Sequence, residues 1–381
     1  MTTKTGSPYI LYGWHLSYFT GKVRSYLRYK NIPFIDQPVD FYTLTRRIKR
    51  RTGAAVMPVL VTPEGEWLQD SSVIIDRLEE RFPARSVLPI RPIQCFAAHL
   101  IEAWGDEWWI PIALHTRWSH PENYPLFERE GGQHLLPWFP RFIQRRAAAR
   151  AANRMRRFMP LVGVVPEQTA ILDAWTATML DHLDRHFAAA PFLLGRSPSI
   201  GDFGLLGSMY GHLGRDPWPK RELVAPRPHL RDWIDRMAEL PPGTAQGFAD
   251  GDVLPPTLEP VLRSIFAEFL PMVEAILAEF RIAAAAHPAG AKLPRGLGTI
   301  EFPMGAGRFR RAATPFTLWM VQRVLDIFHG MKGEDQGAVR LWLAGLGGER
   351  LLALDIPRLR RTALQVALAQ EAGPPERARI G

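Results

Sequence analysis

Cysteine is almost absent from this chain of 381 residues, in which Cys95 is the only one. A single cysteine excludes an intrachain disulfide and the paired cysteines of redox or zinc motifs. The chain also has no uncharged apolar run that approaches the roughly 18 residues of a membrane-spanning helix. Its first residues lack the apolar core of a secretion signal, so we expect a soluble, cytoplasmic protein.

Lysine is also scarce, since only seven of the 47 basic residues are lysine, and the formal net charge is +9. Seven arginines lie between Arg141 and Arg157, in a segment whose apolar line at helical spacing predicts an amphipathic helix. Such a helix can contact nucleic acid or a membrane, but no nucleic-acid motif accompanies it. We interpret its basic side as a solvated surface and expect neither nucleic acid nor a membrane as a partner.

The residues that are abundant predict a folded protein with a mixed α/β unit at its start. Hydrophobic residues make up 46% and charged residues 22%, which excludes a disordered chain. Short apolar runs predict strands at 9–12, 34–35, 59–61 and 67–68, and amphipathic patterns predict helices at 17–32, 42–52 and 71–82. The order β-α-β-α-β-β-α predicts one mixed sheet with helices packed on it.

Three short motifs stand in this unit: Ser-Tyr-Phe-Thr-Gly-Lys-Val-Arg at 17–24, Met-Pro-Val-Leu at 57–60 and Gln-Asp-Ser-Ser-Val-Ile at 69–74. In this order and spacing they resemble the N-terminal domain of the glutathione transferases. Phe-Leu-Leu-Gly at 192–195 and Ser-Ile-Gly-Asp at 199–202 resemble the capping motif of the helical domain in the same family. The resemblance implies an α/β thioredoxin-like domain followed by an all-α domain.

We therefore expect three parts in the chain. Residues 7–83 would form the thioredoxin-like, glutathione-binding domain, 93–240 the helical transferase domain, and 241–381 a C-terminal extension. The extension is unlike ordinary members of the family, and its pattern predicts mostly helices with a β-hairpin near 299–311. We expect it to pack on the helical domain and to cover part of the electrophile pocket. The alternative is a separate helical module that binds another protein, because about 140 residues can bury their own core.

Ser17 is the expected catalytic residue. The nucleophile in glutathione chemistry is the thiolate, and a hydroxyl at a helix N-terminus stabilises an anion through a hydrogen bond and the helix dipole. In the serine-type transferases that this chain resembles, this position carries the activating hydroxyl. Tyr12 and Tyr18 are alternatives, because Tyr18 stands where the family usually has proline. The alternative without a catalytic role is that Ser17 only caps the helix.

The resemblance implies that Met57, Pro58, Asp70 and Ser71 bind glutathione. Met57 would precede a cis-proline and pair through its backbone with the cysteinyl part of the ligand. Asp70 would accept from the ammonium of the γ-glutamyl end, and Ser71 would bind its carboxylate. The alternatives without a binding role are that Pro58 is an ordinary trans proline at a strand and that Asp70 and Ser71 only cap a helix.

The function implied by the resemblance is that of a homodimeric detoxification enzyme. It would use glutathione as co-substrate, need no metal and attack a small hydrophobic electrophile. Trp104, Trp108 and Trp109, with His115 on one long predicted helix, either line a pocket or form core. Two alternatives stay open: a non-catalytic binding or scaffold protein of the same fold, and a carrier that holds hydrophobic compounds in a tryptophan-rich pocket.

Overall fold

The first domain is built on a four-stranded sheet. The computed structural model describes residues 7–240, 247–287, 290–363 and 365–369. The strands lie in the order β2-β1-β3-β4, with β1 parallel to β2, and with β3 antiparallel to both β1 and β4. This arrangement confirms the mixed sheet predicted from the sequence. The strands are β1 (Tyr9–Gly13), β2 (Phe34–Pro38), β3 (Val59–Val61) and β4 (Trp67–Gln69).

Three helices complete this domain as α1 (Tyr18–Tyr29), α2 (Lys49–Thr52) and α3 (Ser71–Arg81). A π-helical turn at Thr43–Ile48 leads directly into α2. Val23 of α1 and Ile74 of α3 are fully buried in the main core of the molecule. The domain therefore has the thioredoxin-like architecture that the resemblance implied.

An all-helical domain follows, and the fold confirms this part of the prediction as well. The helices are α4 (Pro92–Glu107), α5 (Ile110–Trp118), α6 (Tyr124–Leu135), α7 (Arg141–Phe158), α8 (Thr169–Ala189), α9 (Ile200–Ser208), α10 (Pro217–Pro219) and α11 (Pro228–Glu239). The single long helix predicted through Trp104 and His115 is wrong, because the chain breaks between α4 and α5. Pro111 lies in the first turn of α5, where its missing N–H removes no intrahelical hydrogen bond.

The capping motif at the start of α9 is present, and its carboxylate also bonds to residues outside that helix. The Asp202 carboxylate accepts from the N–H and the hydroxyl of Ser199, each at 2.9 Å. It also accepts from the N–H of Leu193 at 2.9 Å and the indole N–H of Trp233 at 3.2 Å. One buried carboxylate thus joins the start of α9 to the preceding turn and to α11.

The described part of the C-terminal extension contains four helices and two β-hairpins. These are α12 (Glu259–Ser264), α13 (Leu270–Ala285), α14 (Pro315–His329), α15 (Gly333–Leu346), and the pairs β5 (Thr299–Met304) with β6 (Gly307–Ala312) and β7 (Leu359–Thr362) with β8 (Gln365–Leu368). The predicted hairpin near 299–311 is therefore present. The second hairpin is an addition, and a π-helical stretch at Ile265–Phe269 connects α12 to α13.

The extension packs on the α4 side of the molecule. Helices α14 and α15 contact α4, and the first hairpin contacts α8 and α13. A second core cluster surrounds Trp14 and Leu16, just before α1, and none of its described members belongs to the extension. The expectation that the extension covers part of the electrophile pocket stays a prediction. Residues 241–246 of the expected junction lie outside the described residues.

Short 3₁₀ and π-helical turns connect or continue the longer helices. The 3₁₀ turns are Pro121–Asn123, Met159–Val162, Pro166–Gln168, Pro256–Leu258 and Glu349–Ala353, and two further π-helical turns are Met209–Leu213 and Lys220–Val224. No helix in the described ranges has the length and apolar character needed to cross a membrane.

Candidate active site

Three chain segments that carry the predicted site residues meet at one edge of the sheet. In the register of the four-stranded sheet, Tyr12 of β1 pairs with Val59 of β3, and Val59 also pairs with Gln69 of β4. Because neighbouring strands here are antiparallel, the end of β1, the start of β3 and the end of β4 come together. The predicted residues follow or precede these ends: Ser17 after β1, Met57 and Pro58 before β3, and Asp70 and Ser71 after β4.

Ser17 stands at the start of α1, and its side chain is only half-buried. Its Oγ accepts a hydrogen bond from the N–H of Thr20 at 3.4 Å, so Ser17 caps the helix. Because Oγ is the acceptor in this bond, the hydroxyl hydrogen is free to be donated. The first turn of α1 contains no acidic residue that would offset the positive end of the helix dipole. A thiolate beside this hydroxyl would be stabilised by both effects.

The two tyrosines near Ser17 have different surroundings. Tyr18 is buried, and its hydroxyl donates to the carbonyl oxygen of Gly105 in α4. Burial raises the pKa of Tyr18 well above its usual value, so this hydroxyl remains a neutral donor to the carbonyl. The ring of Tyr12 stacks on that of Trp67, with 5.6 Å between the ring centroids. The Tyr18 hydroxyl thus already donates to α4, and Tyr12 is the remaining alternative to Ser17 as the residue that activates the thiol.

Asp70 precedes α3 in a backbone conformation that L-residues rarely adopt. Its φ is 88°, which costs on the order of 1–3 kcal/mol and is typical of residues held in place for function. Oδ1 accepts from the N–H groups of Ser72 at 3.0 Å and Val73 at 3.2 Å, and so caps α3. Oδ2 has no hydrogen-bond partner in the described part of the chain. Since Asp70 is half-buried, this second oxygen is available to an ammonium group.

Ser71 and the Met57–Pro58 pair complete the edge. Ser71 is the first residue of α3, and no acidic residue lies in the first turn of that helix. The N–H of Ser71, which is not bonded to Asp70, can therefore bind an anion. The peptide bond between Met57 and Pro58 is cis, which confirms the geometry that the resemblance implied. Met57 is half-buried and packs against the second core cluster.

A cluster of charged side chains is buried behind the first turn of α3. Lys22 of α1 donates to Glu102 at 2.8 Å and to Asp106 at 2.6 Å, both on α4. Lys22 also donates to the hydroxyl of Ser72 at 3.1 Å, and that hydroxyl donates to Glu102 at 2.7 Å. Since Ser72 directly follows Ser71, the cluster fixes the start of α3 to α1 and α4.

The extension contributes an arginine to this cluster. Arg323 of α14 donates to Glu102 at 2.9 Å and to the two carboxylate oxygens of Asp76 at 3.0 and 2.9 Å. One side chain of the extension thus joins α3 to α4. Sequence reasoning missed Arg323, although an arginine inside the apolar run of α14 is itself a signal, because a buried arginine needs a carboxylate partner.

Burial and the nearby cations shift the pKa values of the carboxyls in this cluster in opposite directions. Burial alone would raise the pKa of Glu102, but Arg323 and Lys22 outweigh burial and hold it below its usual value. Burial raises the pKa of Asp106 to about 7 although Lys22 lies against it, and Asp106 Oδ1 has no hydrogen-bond partner among the described residues. Burial also raises the pKa of the neighbouring Glu107 to about 7. Both carboxyls are therefore partly protonated near neutral pH.

Two stretches of the sequence match known family models. Residues 11–86 match the model described as "Glutathione S-transferase, N-terminal domain", and residues 176–236 match "Glutathione S-transferase, C-terminal domain". The first match contains all five predicted site residues, and the second contains the capping motif of α9. Residues 11–86 and 176–236 thus match the two domains of the glutathione transferase superfamily.

Several solved structures are similar to this chain. A glutathione S-transferase from Methylobacterium radiotolerans JCM 2831, in complex with glutathione sulfonate, is 21% identical over 65% of this chain and 100% of its own, with a TM-score of 0.37. A glutathione S-transferase from Rhodospirillum rubrum F11 is 18% identical over 65% and 96%, with a TM-score of 0.38. The beta-etherase LigF from Sphingobium sp. strain SYK-6 is 18% identical over 61% and 97%, with a TM-score of 0.41. No curated protein matches the sequence.

Three tryptophans at the end of α4 and just after it form core and do not line a pocket. Trp104, Trp108 and Trp109 are all buried. Trp108 packs against Phe269 and Phe302 of the extension, with ring centroids 6.3 and 5.5 Å apart. The tryptophan-rich pocket on which the carrier hypothesis depended is therefore wrong for these three residues.

His115 and Glu107, which the sequence places close together, bond to different partners. The ring nitrogens of His115 lie 2.9 Å from the Ser119 hydroxyl and 3.0 Å from Asp173. Glu107 accepts from the hydroxyl of Thr317 in α14 at 2.6 Å. Across the described ranges, no three His, Cys, Asp or Glu side chains are grouped so that they could hold a metal ion.

Proposed function

We propose that this protein is an enzyme that binds glutathione at the sheet edge and activates its thiol for attack on a hydrophobic electrophile. The observation that supports this most directly is the Ser17 hydroxyl. It caps α1 as an acceptor and keeps its hydrogen free, at the same edge of the sheet as Asp70 and Ser71.

In this proposal, opposite charges of glutathione bind to different residues. The γ-glutamyl ammonium binds Oδ2 of Asp70, and the γ-glutamyl carboxylate binds the hydroxyl and the backbone N–H of Ser71 at the start of α3. The backbone of Met57, next to Pro58, pairs with the cysteinyl part of the tripeptide. These contacts would place the sulfur near the start of α1.

The proposed role of Ser17 is to lower the pKa of the bound thiol. Its hydroxyl donates to the sulfur, and the hydrogen bond strengthens when the thiol loses its proton to water, because the acceptor then carries a full charge. The thiolate then forms a carbon–sulfur bond with the electrophile, which loses its leaving group or accepts the electron pair. Ser17 acts as a hydrogen-bond donor throughout and forms no covalent bond.

The test compares Ser17→Ala with Tyr12→Phe, each of which removes one hydroxyl from the same region. A hydrogen bond to a charged group contributes about 1.5–3 kcal/mol, so Ser17→Ala should lower turnover by roughly 10- to 100-fold. It should also raise the pKa of bound glutathione in a thiolate-absorbance titration, with a small change in affinity. Tyr12→Phe should leave that pKa unchanged.

Two results would count against the proposal. If Tyr12→Phe raises the thiol pKa and Ser17→Ala does not, Tyr12 is the activating residue. If the protein binds glutathione but conjugates no generic electrophile at any pH, the non-catalytic binding or scaffold function replaces the enzyme.

The arrangement of the whole molecule is part of the same proposal. We take 7–83 as the glutathione-binding domain, 93–240 as the helical domain and 241–381 as the extension, in a homodimer located in the cytoplasm. Light scattering on the purified full chain tests the dimer, since a mass near the 43.1 kDa of one chain would contradict it.

A further inference from the structure

The positive charge of this protein is concentrated in two segments that contain no acidic residue. Residues 41–63 hold five basic residues, and residues 131–166 hold seven arginines. Without these twelve charges, the formal net charge would change from +9 to −3. The basic character of the chain is therefore a local property of these two segments.

The second segment contains α7, whose two sides differ sharply. Ala148 and Ala152 are buried in the second core cluster and hold the helix against the protein. Arg146, Arg150 and Arg157, spaced by four and seven residues, project from the other side because such spacings repeat around a helix. We call this exposed side the basic face, and it comprises Trp138, Phe139, Phe142, Arg146, Arg150 and Arg157.

The arginines of the basic face have no carboxylate to neutralise them. Elsewhere on α7, Arg145 pairs with Glu128 at 3.3 Å, and Arg156 lies over the ring of Trp118. By contrast, no described acidic residue forms an ion pair with an arginine of the basic face. Their charge is therefore available to an external anionic partner.

Large aromatic side chains are exposed at one end of the basic face. Trp138 is 90% exposed, Phe139 48% and Phe142 59%. These residues lie next to each other, just before α7 and in its first turn. Exposed clusters of this kind on a soluble surface mark contact with a partner.

The first acid-free segment packs on the same core cluster as α7. Ile48, in the π-helical turn before α2, belongs to that cluster together with Ala148 and Ala152. Phe41 and Tyr42, which precede this turn, are also exposed. The two segments therefore pack on the same buried cluster. In both of them, exposed aromatic residues are followed by basic residues, with no acidic residue in the segment.

We propose that the basic face binds the surface of a membrane that contains anionic phospholipids. Arginines attract anionic headgroups, and tryptophan and phenylalanine are favoured at the depth of the headgroups, where their rings leave water. Peripheral contact of this kind needs no membrane-spanning helix. It replaces the expectation from the sequence that the protein has no membrane partner.

The shape of the surface favours a bilayer over other partners. Proteins that bind single-stranded nucleic acid use a basic groove with aromatic residues interleaved along it, whereas here the arginines lie on a convex helix and the aromatics at one end. A second copy of the chain is disfavoured, because a twofold interface would bring identical arginines together. A flat anionic surface matches both the charge and the curvature.

The experiment measures co-sedimentation of the full chain with vesicles of phosphatidylcholine, with or without about one third phosphatidylserine. We expect binding only to the vesicles with phosphatidylserine, and less binding at high salt because salt screens the attraction. Each arginine near an anionic surface contributes roughly fivefold in affinity. The triple variant Arg146→Gln, Arg150→Gln and Arg157→Gln should therefore bind roughly a hundredfold more weakly.

A matched triple variant removes the same charge from other faces. Arg77, Arg231 and Arg263 are exposed, and each forms an ion pair with a neighbour on its own helix; Arg263 also donates to the carbonyl oxygen of Gly345. Their change to glutamine should leave vesicle binding unchanged. Quenching of tryptophan emission by brominated lipid should be lost in Trp138→Phe. Equal binding to neutral vesicles, equal weakening by both triple variants, or binding to nucleic acid but not to anionic vesicles at the same salt would overturn the proposal.

Discussion

Replacement of Arg323 by methionine tests whether the extension is an integral part of the transferase fold. Arg323 of α14 makes three hydrogen bonds to the carboxylates of Glu102 and Asp76, which lie on α4 and α3. Methionine has a similar length and no charge, so the variant removes the ion pairs and keeps most of the packing. Glu102 would remain buried with only one of its two cations.

The expected loss of stability follows from the burial of these groups. Removal of one partner from a buried ion pair costs about 3–5 kcal/mol, because the remaining charge is left uncompensated. Glu102 keeps its hydrogen bond to Lys22, and the side chain of Asp76 is 26% exposed, so we expect the lower end of this range. Arg323→Met should therefore lower the free energy of unfolding by about 3 kcal/mol in urea titrations followed by circular dichroism.

Arg358→Met is the matched control within the extension. Arg358 makes two hydrogen bonds to Asp326, at 2.6 and 2.8 Å, but both side chains of this pair are well exposed to solvent. Surface pairs contribute about 0–1 kcal/mol, so this variant should be close to the unmodified protein. Equal stability of the two variants would refute the conclusion that Arg323 is a buried link between α14, α3 and α4.

Two further predictions concern Asp106 and Asp70. The pKa of Asp106 is raised in the folded protein from 3.8 to about 7, so the folded state keeps a proton that the unfolded chain releases. Stability should therefore fall as pH rises through that window, by at most about 1.4 kcal/mol per pH unit. Asp106→Asn should flatten this part of a stability–pH curve, and an unchanged curve would show that Asp106 is ionised in the folded protein. Asp70→Asn keeps an oxygen for the cap of α3, and asparagine tolerates a positive φ, so the free energy of unfolding should be nearly unchanged. The glutathione KM should rise roughly tenfold because the charge is lost. An unchanged KM would mean that the ammonium binds elsewhere.

Local patterns in the sequence determined much of this protein. The strands of the first domain, the cap at Ser17 and the bounds of α14 follow from apolar runs, capping residues and a proline at the first helical position, which act over a few residues. The capping box of α9 and the hairpin of β5 and β6 are local in the same sense. The residues expected to bind glutathione are named from the resemblance of their motifs to those of the glutathione transferases, and their binding role stays a prediction.

Tertiary structure alone decided which side chains meet. Lys22 and Arg323 both bond to Glu102, from positions 80 and 221 residues away in sequence, and no local pattern encodes such pairs. Trp104, Trp108 and Trp109 have the same spacing in the sequence whether they face a cavity or another element. One of the rings that pack on Trp108 is Phe302, almost two hundred residues later. Tyr18 was a candidate for thiol activation until α4 brought the carbonyl of Gly105 to its hydroxyl. Burial and ion pairing are properties of the assembled chain, because they depend on which distant surfaces exclude water from a side chain.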